Sequence, residues 1–199
     1  MKVNGNKYKG SFLNNKKHGN GVEVCADGTI FEGVFSENEK VNGSIVYPDK
    51  SSYTGNFSNS TFNGQGTYKW NDGRSYEGDW LNNKLNGQGK FIWKNKMKFE
   101  GEYKNNIRHG NGKFYWNVNT YFEGNFTNGK PNGNGLLKND INQLIGYWRF
   151  GKLIKITKLV SFDNAISDSL DLKCEQVEDD ITTKPNQTKA NDNKEKEYE

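Results

Sequence analysis

Aromatic and glycine residues alternate with polar residues over short stretches along most of this chain. In the stretch YEGDW, Tyr76, Gly78 and Trp80 occupy every second position and two acidic residues fall between them. The stretch GQGKFIW, residues 87–93, alternates in the same way. Successive side chains of a β-strand point to opposite faces of a sheet. Both stretches are therefore predicted strands with one face of rings and glycines and one mostly polar face.

An asparagine-rich turn joins these two predicted strands. Residues 82–84 read NNK, and similar NNK and NGK turns begin at Asn14 and Asn128. Asparagine and glycine tolerate the positive φ that tight hairpin connections need. The pattern predicts a β-hairpin in which residues 76–80 run outward, residues 82–84 turn and residues 87–93 return.

The hairpin pattern repeats along the chain. Each repeat opens on an aromatic residue, followed by a glycine and a second aromatic residue at intervals of two. The first aromatic residues are Tyr8, Phe31, Tyr53, Tyr76, Phe99 and Phe122, and the second are Phe12, Phe35, Phe57, Trp80, Tyr103 and Phe126. Their spacings are 23, 22, 23, 23 and 23 residues, and a seventh opening follows 22 residues later as Leu144, Gly146 and Trp148. Self-similarity at this period indicates a repeat architecture.

A Gly-x-Gly pair marks the second strand of most repeats. The pairs are Gly19 and Gly21, Gly64 and Gly66, Gly87 and Gly89, Gly110 and Gly112, and Gly133 and Gly135. The second repeat keeps only Gly43, which aligns with the second glycine, and the missing residue lies just before it. A strand glycine leaves bare backbone on which an aromatic ring can pack. The glycines are predicted to make room for rings of the same repeat and the next.

Six full repeats in register resemble the membrane occupation and recognition nexus (MORN) repeat over about residues 8–152. Because a lone hairpin is only marginally stable, stability is expected to come from neighbouring hairpins that extend one antiparallel sheet. Seven hairpins with strands about 4.8 Å apart would form a ribbon about 65 Å long. The twist of the sheet is expected to coil this ribbon and gather its rings along a concave trough.

The predicted fold class is all-β: an elongated single antiparallel sheet of tandem 23-residue β-hairpin repeats, with a short C-terminal strand and helix cap and a disordered acidic tail. The predicted boundaries are a lead-in over residues 1–7, repeats over 8–30, 31–52 (divergent), 53–75, 76–98, 99–121 and 122–143, a partial repeat over 144–152, a cap over 153–172 and the tail over 173–199. Residues 152–162 alternate as a last strand, and residues 163–172 are a predicted short helix with Asp163 as its cap.

Composition and charge refine this picture. Hydrophobic residues make up only 32% of the 199 residues, so the 14% of aromatic residues must supply the core. No apolar run is long enough for a membrane span or a signal peptide, and the expected location is the cytoplasm, either free or peripheral to a membrane or the cytoskeleton. Residues 163–199 hold 11 acids and 5 lysines, net −6, whereas residues 1–162 hold 23 basic and 13 acidic residues, net +10.

The candidates for catalysis are few. His18 and His109 occupy the same repeat position as asparagines in sister repeats, which predicts surface turn residues and leaves no base for a nucleophile. Cys25 and Cys174 lack metal-ligand spacing. The recurrent glutamates after the opening ring are interpreted as a solvated face that pairs with lysines across strands. Some enzymes carry similar repeats before a catalytic domain, but fewer than fifty residues follow these repeats. No enzyme activity, cofactor or metal is expected.

Binding of a partner protein is the main functional hypothesis. An aromatic trough could receive an amphipathic helix or an extended segment, because Tyr and Trp often anchor interfaces. The candidate residues are the second-strand rings of three adjacent repeats: Tyr68, Trp70, Phe91, Trp93, Phe114 and Trp116. The alternative for each ring is that it only holds the sheet together.

Three other kinds of partner remain open. The net charge of +10 over the repeats favours peripheral contact with anionic lipids, a role that the resemblance also loosely implies. Stacking on single-stranded nucleic acid is disfavoured because no specific motif supports it. The two terminal hairpins should expose strand edges, which would permit a homodimer through edge pairing.

Overall fold

The structure, a computed structural model, describes residues 2–3 and 5–162. Within these residues, fifteen strands form one antiparallel sheet in which the spatial order is the sequence order. They are β1 (Lys2–Val3), β2 (Asn6–Leu13), β3 (Lys16–Val24), β4 (Ile30–Ser36), β5 (Glu39–Val46), β6 (Ser52–Ser58), β7 (Thr61–Lys69), β8 (Ser75–Leu81), β9 (Lys84–Ile92), β10 (Lys98–Lys104), β11 (Ile107–Tyr115), β12 (Tyr121–Thr127), β13 (Lys130–Lys138), β14 (Asn142–Arg149) and β15 (Lys152–Ser161).

The predicted all-β fold, a single antiparallel sheet of hairpin repeats, is confirmed. The stretch predicted as a last strand forms β15, which pairs with β14. The helix predicted over residues 163–172 and the disordered tail predicted from residue 173 lie outside the described residues.

Asparagines form the tight turns for two physical reasons. Asn82 and Asn83, between β8 and β9, have φ of 49° and 62°, a left-handed conformation that asparagine adopts more readily than most residues. Asn83 also bonds to the preceding hairpin, because its side-chain oxygen accepts from the Phe62 amide at 2.7 Å and its own amide donates to the Phe62 carbonyl at 3.1 Å. Asn106 repeats both bonds on Leu85 at 2.7 and 2.9 Å. The turns therefore also join neighbouring repeats.

One glycine from each strand from β2 to β14 pairs with the glycine of the next strand, which makes a continuous row across the sheet. The row comprises Gly10, Gly21, Gly33, Gly43, Gly55, Gly66, Gly78, Gly89, Gly101, Gly112, Gly124, Gly135 and Gly146. A Cβ atom placed on Gly78 would lie 2.5 Å from the Cα of Gly89. In a regular antiparallel pair even the Cα atoms of facing residues lie about 4.5 to 5.5 Å apart, and a Cβ that stands away from the sheet lies no closer. The sheet therefore bends sharply along the glycine row, with the aromatic face on the inside.

The two glycines of each Gly-x-Gly pair have different roles. The Tyr76 ring covers Gly89, the second glycine of its own hairpin. Gly87, the first glycine, has φ of 79° and lies in a bulge where residues 86–88 of β9 face Asp79 alone. The Asp79 carboxylate accepts a hydrogen bond at 2.8 Å from the Gln88 amide in that bulge. The ring nearest to this backbone thus comes from the same repeat.

The divergent second repeat shows what the missing residue does. Between β4 and β5, Val34 pairs with Asn42 and Phe35 pairs with Lys40, so that Val41 is the single extra residue. The bulge of the other repeats is shortened there, while Gly43 still pairs with Gly33 in the glycine row. The deletion therefore changes the bulge and preserves the bend of the sheet.

Edge-to-face rings form a continuous core on the inside of the bend. Tyr76 contacts Trp80 of its own repeat at 5.2 Å between ring centroids and Tyr103 of the next repeat at 5.4 Å. Phe99 repeats this arrangement with Tyr103 at 5.3 Å and Phe126 at 5.0 Å. Such pairs stabilise by about 1 kcal/mol beyond the area that they bury. Each opening ring thereby links its repeat to the next.

Candidate functional site

The six predicted binding residues lie in one row on the inner face of the sheet, which we call the aromatic row. Successive ring centroids from Tyr68 to Trp70, Phe91, Trp93, Phe114 and Trp116 lie 4.6, 5.3, 4.6, 5.5 and 4.9 Å apart. The spacing of the repeats brings all six together, because equivalent positions of consecutive hairpins fall two strands apart.

Burial divides the aromatic row into packed rings and surface rings. Tyr68, Phe91 and Phe114 have at most 2% of their surface exposed, and Trp93 has 8%. Trp70 and Trp116 are only partly buried against this core. The bend along the glycine row closes the inner face around its own rings, so four of the six residues have little surface to offer. Binding by the aromatic row stays a prediction, and Trp70 and Trp116 are the members that a partner could reach.

A buried phenol hydroxyl and two guanidinium groups lie within or against the aromatic row. The Tyr68 hydroxyl bonds to Ser51 Oγ at 3.1 Å, and burial raises the pKa of this phenol despite that hydrogen bond. The Arg74 guanidinium lies 5.3 Å from the Trp70 ring centroid and pairs with Asp72 at 2.8 Å. Arg108 is buried, 5.2 Å from the Phe114 ring centroid. Sequence reasoning missed Arg108, although its parity places it on the aromatic face beside Tyr103.

A buried ion cluster replaces rings at the N-terminal end of the inner face. Glu23 occupies the position that Tyr68 and Phe91 hold in later repeats, and its side chain is 7% exposed. Its carboxylate pairs with Lys17 and, at 2.7 Å, with Lys40. Burial tends to raise the pKa of Glu23, but hydrogen bonds and charge from the two lysines outweigh it and hold the pKa below its usual range. The sequence did contain a signal for this site, because Glu23 has the same strand parity as the rings and is therefore placed on their face of the sheet.

We expect Glu23→Gln to destabilise the protein by about 2 kcal/mol at pH 7, the usual size for losing hydrogen bonds to a buried charge. A carboxylate whose folded pKa is depressed contributes stability above its unfolded pKa, about 4.3, and loses it as pH falls through the folded value. The difference between wild type and variant should therefore be full above about pH 5 and shrink below pH 4. Urea unfolding at several pH values measures it.

Glu37→Gln is the matched control for this prediction. Glu37 pairs with Lys16 at an exposed position, so its loss should change stability little at any pH. A Glu23→Gln effect that stays constant from pH 7 to pH 3 would show that the carboxylate charge is not what stabilises the cluster.

The outer face of the sheet carries cross-strand ion pairs. Lys90 lies 3.5 Å from Glu100, and Lys113 lies 3.1 Å from Glu123. The interpretation that the recurrent glutamates pair with lysines is confirmed for these two. Over the described part of the chain, no group of three or more His, Cys, Asp or Glu residues is arranged to hold a metal ion. Nor does that part contain a helix that could cross a membrane.

The C-terminal end of the sheet is both basic and apolar at its surface. Residues 124–162 contain six basic residues and one acid, Asp140, a net charge of +5. Exposed apolar side chains accompany them, among which Phe150 and Ile154 are each 60% exposed. About half of the +10 excess of residues 1–162 is thus concentrated in the last hairpins.

The repeats match a known protein family. A family model described as MORN repeat matches residues 8–30, 53–73, 76–98, 99–121 and 122–138, which together are more than half of the chain. The matched ranges leave out residues 31–52, where the shortened bulge lies. A search of curated proteins gave no match. The chain therefore belongs to the MORN repeat family.

Proposed function

We propose that this protein is a non-enzymatic, cytoplasmic scaffold that binds a partner protein along the aromatic row. The observation that carries the proposal is the position of Trp70 and Trp116, two partly exposed rings on a continuous core of rings. Such a platform is rigid because each ring is held by its neighbours. Partly buried aromatic side chains on a rigid surface suit an interface anchor, because little side-chain freedom is lost on binding.

The spacing of the two reachable rings sets the spacing of the anchors in a partner. Trp70 and Trp116 lie four strands apart, about 19 Å, with the largely buried Trp93 between them. Residues fourteen positions apart on a helix are about 21 Å apart and lie near one face. An extended segment covers the same distance in about six residues, which also keeps both anchors on one face. An amphipathic helix and an extended segment therefore both fit the row, with apolar anchors at these two different intervals.

The test selects displayed peptides on the folded protein and measures the enriched peptide against variants. We expect peptides with apolar anchors about fourteen residues apart in a helix or about six apart in an extended segment, and an affinity loss of at least about tenfold with Trp70→Ala and Trp116→Ala combined. Phe150→Ala is the matched control because it removes an exposed ring away from the row. Equal binding to wild type and to the folded double variant would refute the proposal.

Peripheral contact with anionic membranes is a second candidate, favoured by the basic and apolar C-terminal end. Each lysine near an acidic leaflet contributes about 1 kcal/mol, and exposed Phe150 and Ile154 could enter the interface. Sedimentation with anionic vesicles should then exceed that with neutral ones, and Lys152→Glu with Lys155→Glu should abolish the difference. Equal, low sedimentation with both kinds of vesicle at physiological salt would dispose of this candidate.

A further inference from the structure

β15 is the last strand of the described part of the sheet, at its C-terminal end. Among the strands that the structure describes, β15 is bonded to β14 and to no other. It is ten residues long, and nine of the ten are exposed. About half of the amide and carbonyl groups of an antiparallel edge strand point away from its only neighbour. A long edge of this kind is a template for a further strand.

Apolar side chains make this edge unlike a solvated one. Ile154, Ile156 and Leu159 are 60%, 44% and 40% exposed, and Phe162 just beyond the strand is 52% exposed. In the central repeats the corresponding side chains are covered by the next hairpin, as Phe91 is next to Phe99. The inner face at β15 therefore ends without the neighbour that every preceding hairpin has.

The charges of β15 indicate what kind of strand could pair with it. Lys152, Lys155 and Lys158 recur every third residue, and no acid occurs anywhere from β14 through β15. A second copy of β15 would bring like charges together across the new pair, which is destabilising. An acidic strand with alternating apolar residues would instead pair its carboxylates with the lysines and cover Ile156 and Leu159.

The chain itself continues from this edge with a segment of that chemistry. Residues 163–199 carry a net charge of −6. In the stretch ISDSLDLKCE, residues 166–175, one parity is mostly apolar and the other polar. The first holds Ile166, Asp168, Leu170, Leu172 and Cys174, and the second holds Ser167, Ser169, Asp171, Lys173 and Glu175. Ile166 also lies 22 residues after Leu144, where the next repeat would open. A tethered segment acts at an effective concentration in the millimolar range.

We propose that residues 166–175, in place of the short helix and the tail predicted from the sequence, add to the outer edge of β15 as a further antiparallel strand. Leu170 and Leu172 cover the exposed apolar residues of β15, and Asp171 and Glu175, which have the opposite parity, face its lysines. The added strand ends the sheet and neutralises part of its basic C-terminal end. It thereby blocks edge pairing with a second copy and competes with any anionic surface for the same lysines.

Hydrogen exchange of the full chain, followed by mass spectrometry, tests the proposal. Peptides covering Lys152–Ser161 should be protected in wild type on both sides of the strand. With Leu170→Lys and Leu172→Lys combined, exchange of the outward amides should become faster by about tenfold or more. Leu170→Ile with Leu172→Ile should restore the protection, because isoleucine keeps both the apolar face and the strand preference.

Thr182→Lys with Thr183→Lys is the matched control, since it adds the same charge outside residues 166–175 and should leave β15 protected. The proposal is overturned if β15 exchanges equally in wild type and in the Leu170→Lys, Leu172→Lys variant. Protection that depends on protein concentration but not on these leucines would indicate pairing with a second copy and would also overturn the proposal. The same holds for protection that arises only when anionic vesicles are present.

Discussion

Replacing Gly89 with alanine is expected to lower the free energy of unfolding by about 3 kcal/mol, at the upper end of overpacking effects. A Cβ atom at Gly89 would lie 2.2 Å from the Tyr76 hydroxyl oxygen and 2.4 Å from two ring carbons. The ring cannot move away easily, because it is fully buried and its hydroxyl donates to the Asp79 carbonyl at 3.0 Å. Urea unfolding followed by tryptophan fluorescence measures the change.

Gly73→Ala separates steric overlap from backbone conformation. Gly73 has φ of 93° in the turn before β8, and an added Cβ would meet nothing within 4 Å. Alanine there should cost about 1 kcal/mol through its unfavourable left-handed conformation alone. Equal losses at Gly73 and Gly89, or no loss at Gly89, would mean that the ring does not rest on the glycine row.

Replacing Phe99 with alanine should cost about 4 kcal/mol, the usual range for truncating a fully buried aromatic ring. Phe99 is fully buried and contacts Tyr103 in its own repeat and Phe126 in the next. In a repeat protein, stability is close to a sum of repeat terms and neighbour terms. Loss of this ring should therefore also uncouple the sixth repeat from the fifth, so that unfolding spreads into two transitions.

Site-specific hydrogen exchange across β8 to β15 can resolve the two transitions. Phe150→Ala is the control of the same chemistry, since this ring is largely exposed and its loss should cost less than about 1 kcal/mol. A Phe99→Ala protein that unfolds in one transition at the wild-type midpoint would contradict the role of this ring as the link between repeats.

The fold could be predicted from the sequence because its signals are local. The parity of Tyr76, Gly78 and Trp80 sets which face each side chain takes, and the asparagine turn sets the hairpin connection. Near-constant spacing of the openings then requires that equivalent residues of successive hairpins align across the sheet. Each relation involves residues within one repeat or residues separated by one repeat length, so a single sequence was enough to identify it.

The candidate site was only partly predictable, because exposure is a property of packing. Tyr68 and Trp70 share a parity and a residue class, yet the first is buried and the second is partly exposed. Tyr68 lies within β7, whereas Trp70 lies just beyond its end, where fewer rings of neighbouring hairpins cover it. The different roles of Gly87 and Gly89 could not be predicted either, because both are glycines of the same parity in the same predicted strand.

Glu23 and Arg108 mark where pattern reasoning was least informative. Their parity places both on the aromatic face, but a charged residue there reads as a break in the pattern. The structure shows Glu23 held by Lys17 and Lys40, the second of which comes from the next repeat. Burial of an ion is tolerated only with such partners, and partners from another repeat are visible only once the hairpins are side by side.

Repeat period, strand parity and turn chemistry were thus determined by the order of residues alone, because each depends on the geometry of a single hairpin. The depth of the bend, the burial of four of the six candidate rings and the exposed edge of β15 were decided by the assembled sheet. Thirteen paired glycines let neighbouring backbones approach until the rings close the inner face. That closure is a cooperative property of many strands in contact, so no stretch of sequence contains it.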